Sequence, residues 1–72
     1  MNKLTTRVQL ELPEKSMSRL ADLKGKTEAS SYAEVLKNAL RLYESIIKEY
    51  EAGSRILIKN KEGDLKEYEI FF

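Results

Sequence analysis

An unbroken alternation of polar and apolar residues from Thr6 to Pro13 constrains the fold of this 72-residue chain more than any other feature. A period of two predicts a β-strand with one apolar and one polar face. These faces are Val8, Leu10 and Leu12 on one side, and Arg7, Gln9 and Glu11 on the other. A lone strand leaves two edges of unpaired N–H and C=O groups, and no comparable strand follows before the helical segments. The most economical partner is the same strand of a second copy, which predicts a two-stranded ribbon and a homodimer.

Composition excludes several classes of protein. The chain has neither Cys nor His, which removes disulfides, thiolate metal sites and the usual general base. It also lacks a nucleophile–base pair and a Gly-rich phosphate loop, so we predict no enzyme, no cofactor and no metal. No apolar run reaches the roughly 20 residues that span a bilayer, and the start lacks the apolar core of a signal peptide. The sequence therefore predicts a soluble, cytoplasmic protein without a membrane partner.

Positive charge is concentrated toward the N-terminus, although the net charge is only +1. Residues 1–27 carry six basic and three acidic side chains, residues 28–50 carry three and four, and residues 51–72 carry four and five. A dimer would bring two such N-terminal excesses together around the ribbon. This favours a polyanionic partner there, although less strongly than the basic patch of many nucleic-acid binders.

Two helices are predicted after the strand. The first covers about 14–25, because Pro13 suits a first helical turn and apolar residues recur at helical spacing from Met17 to Leu23. Gly25 is the expected end of this helix.

The second helix begins with a capping box. The Ser31 hydroxyl is expected to accept from the N–H of Glu34, and the Glu34 carboxylate to reach back to the N–H of Ser31. A wide apolar stripe follows at spacings of three and four, and Gly53 is the expected end. The stripe consists of Val35, Leu36, Ala39, Leu40, Tyr43, Ile46, Ile47 and Tyr50. Since one strand and one short helix cannot cover so broad a stripe, it also predicts burial against a second copy.

This order of an alternating strand, a helix with a Met17/Leu20/Leu23 stripe and a longer helix opened by Ser30–Val35 resembles the ribbon-helix-helix family of DNA-binding proteins. The resemblance covers about residues 5–50. It implies an α+β, mostly α, intertwined homodimer whose antiparallel ribbon enters the DNA major groove, which admits such a ribbon. We accordingly predict a DNA-binding domain at 5–52 and an added C-terminal β-hairpin at 54–72.

The resemblance implies that the polar face of the ribbon contacts bases. Arg7 has the fork that pairs with guanine O6 and N7, and Gln9 can pair with adenine N6 and N7. Glu11 leaves two roles open: it accepts from cytosine N4, or it holds the Arg7 guanidinium across the strands, which we favour.

Backbone contacts are implied at the start of the second helix, whose free N–H groups and dipole favour a phosphate. Ser30, Ser31 and Tyr32 lie there, and Ser31 also caps the helix. Lys3, Thr5 and Thr6 form a leading arm, of which Thr5 is the predicted phosphate contact. The implied dimer core consists of Val8, Leu10, Leu12, Leu20, Val35, Leu36, Ala39, Leu40 and Tyr43.

The C-terminal extension is predicted to be a β-hairpin, with strand-like segments at 55–59 and 65–72 and turn residues at 60–64. In its second strand Tyr68, Ile70 and Phe72 share one face, opposite Glu67, Glu69 and Phe71. Three roles stay open: the hairpin enlarges the dimer core, docks another protein, or joins neighbouring dimers on DNA.

The function predicted from these features is a sequence-specific transcriptional regulator, most simply a repressor of its own or a neighbouring operon. A two-fold dimer implies a palindromic or pseudo-palindromic site in double-stranded DNA. The alternative is an antitoxin or adaptor whose C-terminal segment binds a protein partner.

Overall fold

The computed structural model describes residues 4–70, which form two helices followed by two strands. Helix α1 spans Glu14–Lys26 and helix α2 spans Tyr32–Glu51. Strand β1 spans Ile56–Lys59 and strand β2 spans Leu65–Tyr68. The predicted coarse class, α+β with mostly helix, is therefore confirmed. The predicted side chains of Lys3, Phe71 and Phe72 lie outside the described residues.

Helix α1 begins where proline predicted it. Pro13 is the N-terminal boundary residue, with φ −58° and ψ 157°, and its carbonyl accepts the first helical bond from the N–H of Met17 at 2.9 Å. Glu14 then places a carboxylate in the first turn, where it complements the helix dipole.

The end of α1 differs from the expected stop at Gly25. The helix continues to Lys26, and the left-handed residue is Glu28, with φ 55°. The N–H of Glu28 donates to the carbonyl of Gly25 at 3.2 Å, and that of Ala29 donates to Lys24 at 3.1 Å. This pair of bonds is a Schellman motif, which needs a left-handed residue two positions after the last helical one. The turn thus places a non-glycine residue where glycine costs least.

Helix α2 ends in the same motif but with the expected residue. Gly53 is left-handed, with φ 88°, and its N–H donates to the carbonyl of Tyr50 at 3.0 Å. The N–H of Ser54 donates to the carbonyl of Glu49 at 2.9 Å. The prediction that Gly53 closes the helix is confirmed.

The two helix ends give a matched prediction. Gly53→Ala should lower the free energy of unfolding by about 1 kcal/mol, because a left-handed residue with a Cβ is strained. Glu28→Gly should raise it by a few tenths of a kcal/mol, since the relieved strain of about 1–2 kcal/mol exceeds the extra backbone entropy of about 0.5–1 kcal/mol that glycine loses. Urea unfolding monitored by circular dichroism at one protein concentration measures both. A destabilised Glu28→Gly would show that the Glu28 side chain makes a stabilising contact.

The C-terminal segment forms the predicted antiparallel hairpin, with Ile56 opposite Tyr68 and Lys59 opposite Leu65. The turn is closed by the N–H of Asn60 donating to the carbonyl of Asp64 at 2.9 Å. The Asn60 side-chain oxygen accepts from the N–H of Asp64, also at 2.9 Å, and Gly63 supplies a φ of 91°. Asparagine and glycine therefore occupy the positions that this turn needs. The strands end at Lys59 and Tyr68, so the second is shorter than predicted.

The register places alternate hairpin residues on two faces. One face carries the Ile56/Tyr68 and Ile58/Lys66 pairs. The outer face, defined here by Leu57, Lys59, Leu65 and Glu67, also holds the ion pair between Arg55 Nε and Glu67 Oε1 at 3.5 Å.

The chain divides into two compact units, one ending at Val35 and the other beginning at Leu36, so the division falls within α2. The predicted domain boundary between residues 52 and 54 stays a prediction. Within the described part of the chain, no helix has the length and apolarity that crossing a membrane would require.

Candidate nucleic-acid interface

The segment that precedes α1 is exposed and has neither helical nor strand structure in the single chain. Residues 4–11 are exposed throughout, and Val8 retains 84% of its accessible surface. Arg7, Gln9, Glu11 and Thr5 all lie in this segment. The strand predicted at 6–13 stays a prediction, because the hydrogen bonds that would define it belong to a second chain.

Side chains organise the start of α2 more tightly than a simple cap would. The Ser31 hydroxyl accepts from the N–H of Glu34 at 3.1 Å, which confirms this half of the capping box. The Glu34 carboxylate does not meet the predicted N–H of Ser31. It accepts from the backbone N–H and the hydroxyl of Ser30, at 2.6 and 2.5 Å. The box is therefore shifted by one residue on its return side.

This shift bears on the predicted phosphate contacts. Both donors of Ser30 are taken by Glu34, so Ser30 can bind an anion only if that carboxylate moves. The Ser31 hydroxyl accepts from Glu34 and, as a hydroxyl, still carries a proton that it can donate. Ser31 is consequently a better phosphate ligand than Ser30 in this arrangement.

A cation that the sequence did not single out lies beside this helix start. The Nζ of Lys24, from the last turn of α1, lies 5.5 Å from the centroid of the Tyr32 ring. This distance is within the range of cation–π attraction, which holds the ammonium near the first turn of α2. Spacing along the chain does not pair residues 24 and 32, so the sequence offered no signal for this contact.

The residues predicted for the dimer core are mostly open in the single chain. Val35 is buried, and Leu12 and Leu20 are half-buried. The other core candidates are exposed; they are Val8, Leu10, Leu36, Ala39, Leu40 and Tyr43. Among residues 4–70, Val35 is the only buried one.

The exposed part of α2 has a specific pattern. Leu36, Leu40, Tyr43, Ile47 and Tyr50 recur at spacings of four, three, four and three. We call these five residues the α2 seam. Alternating spacings of four and three keep side chains in line along one side of a helix, which is the arrangement that packs helix against helix.

Metal chemistry has no visible support in this structure. Among residues 4–70, no three or more Asp or Glu side chains are grouped as they would be around a metal ion.

Comparison of the chain with protein-family models, with curated proteins and with solved structures gives no match.

Proposed function

We propose that this protein is a homodimeric, sequence-specific DNA-binding regulator of the ribbon-helix-helix type. The observation that carries the proposal is the combination of an alternating strand sequence with an exposed apolar face on both that segment and α2. Each of these faces needs a covering surface, and one second copy of the chain supplies both.

The extent of exposed surface supports a dimer. The single chain exposes 7339 Å², whereas a folded monomer of 8.3 kDa exposes about 4,600 Å² by the usual scaling of surface with mass. The excess of about 2,700 Å² per chain is in the range that obligate dimers bury. Apolar residues dominate the open positions on α2, as such interfaces require.

Pairing of the two N-terminal segments would create the DNA-reading element. An antiparallel ribbon would place Val8, Leu10 and Leu12 against the helices and leave the opposite face outward. That face carries the Arg7 fork and the Gln9 amide, the side-chain types that pair with guanine and adenine in the major groove. Glu11 would then lie close enough across the ribbon to orient Arg7.

Phosphate contacts would fix the register of the ribbon on the duplex. The start of α2 offers its free N–H groups and the Ser31 hydroxyl, and the Lys24 ammonium adds positive charge beside them. Such contacts position the protein and carry no sequence information. Repression would follow from occupancy of a two-fold symmetric site that overlaps a promoter.

Fluorescence anisotropy tests this function directly. We expect the protein to bind DNA from upstream of its own gene about 10³-fold or more tightly than a scrambled duplex at physiological salt. The affinity should also fall steeply as salt rises, because bound phosphates release counterions. Equal and weak binding to the two duplexes would contradict autoregulation through a specific site.

A second candidate function is docking of a protein partner, as in antitoxins and adaptors. The outer face of the hairpin favours it, because Leu57 and Leu65 are exposed beside the Arg55–Glu67 ion pair. Capture of a specific protein by the full chain, lost in a Leu57→Ser/Leu65→Ser variant, would support this function.

A further inference from the structure

An apolar groove lies between α2 and the end of the hairpin. Its helix side consists of Ala39, Leu42, Tyr43 and Ile46, and its hairpin side consists of Tyr68 and Ile70. Glu69 is the one charged residue along it, and its volume is about 230 Å³. A groove of this composition suits apolar side chains better than a polar ligand.

The hairpin covers this groove only partly. Leu42 remains 63% exposed and Tyr68 remains 48% exposed, although both line it. Each apolar Å² left in water forgoes about 25 cal/mol of stabilisation. An additional surface that filled the groove would therefore be stabilising.

The groove is continuous with the α2 seam, because Tyr43 belongs to both. A helix of 20 residues is about 30 Å long and about 10 Å wide, so one helix face cannot account for the excess exposed surface described above. The interface between two copies must extend beyond the seam, and the adjoining groove is the apolar surface next to it.

Two-fold symmetry indicates which part of the second copy would reach the groove. If two α2 helices pack antiparallel and cross at Tyr43, the centre of the seam, the first half of one helix lies along the second half of the other. Leu36 and Leu40 of the second copy would then approach the side of α2 that holds Ile46.

We propose that this groove is part of the dimer interface and is filled by Leu36 and Leu40 of a second copy, so that the hairpin is a dimerisation element. The inference rests on the proposed function only through the homodimer. It assigns the hairpin a role between the two chains, instead of leaving it as a free arm or a cover for its own helix.

Isotope-filtered NOE spectroscopy tests this contact. A sample refolded from equal parts of ¹³C-labelled and unlabelled protein should show intermolecular cross-peaks from Tyr68 and Ile70 to Leu36 and Leu40. Leu57 and Leu65, on the outer face of the same hairpin, should show none. Intermolecular cross-peaks at Tyr43 without any at Tyr68 or Ile70 would overturn the inference while leaving the dimer intact.

Sedimentation equilibrium provides a second readout. Tyr68→Ala should raise the dimer dissociation constant at least tenfold, and the matched Leu65→Ala should leave it unchanged. If Tyr68→Ala lowers the melting temperature without changing the dimer equilibrium, the hairpin packs only on its own chain and the inference fails.

DNA binding separates the two proposals. A dimer with the expected cross-peaks but no preference for any duplex retains the interface and removes the DNA-binding function. A chain that stays monomeric at every concentration overturns both.

Discussion

Arg7→Ala is expected to abolish most of the discrimination between a specific site and unrelated DNA while leaving weak non-specific binding. A bidentate Arg–guanine contact contributes about 1–3 kcal/mol of discrimination, which is roughly 5- to 150-fold in the affinity ratio for each protomer. Non-specific binding depends on phosphate contacts elsewhere and should fall much less. Anisotropy titrations of both duplexes at fixed salt measure the ratio.

Arg41→Ala is the matched control, since it removes the same charge from a position on α2 that lies off the apolar stripe. It should weaken binding to both duplexes alike, if at all. An Arg7→Ala protein whose specific and non-specific affinities fall by the same factor would show that Arg7 contacts phosphate instead of a base.

Leu40→Ala is expected to destabilise the protein strongly, although Leu40 is 65% exposed in the single chain. An exposed leucine of a monomer can usually be truncated with a change within about 0.5 kcal/mol. A leucine buried at the centre of a dimer interface costs about 2–5 kcal/mol when truncated. Urea unfolding at several protein concentrations measures the loss and shows whether it is linked to dimer dissociation.

Leu65→Ala is the control for this experiment, because Leu65 is 62% exposed and lies on the outer face of the hairpin. The same truncation at nearly the same exposure should be close to neutral there. Equal, small effects at Leu40 and Leu65 would mean that the α2 seam is a true surface of the protein. The homodimer would then lose its main support.

Some features were predictable from sequence because short-range hydrogen bonds decide them. The Ser31–Glu34 bond and the turn at Asn60 use side chains within four residues of their partners. Gly53 is equally local, since a left-handed residue must follow the helix and glycine adopts that conformation at least cost. In each case the residue type and the geometry are two descriptions of the same local requirement.

The same reasoning was wrong at the end of α1. Gly25 stands near the expected stop, yet Glu28 takes the left-handed position three residues later. The helix gains another turn of hydrogen bonds, and Thr27 adds a bond from its hydroxyl to the carbonyl of Leu23 at 2.7 Å. Local propensity is a weak preference that a few such bonds can outweigh.

The sequence by itself determined the two helices, the cap that opens α2, the hairpin turn and the alternation of the N-terminal segment, since each depends on neighbours a few residues away. Only the tertiary structure brought Lys24 to the Tyr32 ring and Tyr68 and Ile70 to the side of α2. It also showed that the α2 seam remains open in a single chain. These features depend on where segments distant in sequence meet, and the alternating and helical patterns specify which face is apolar without specifying what that face packs against.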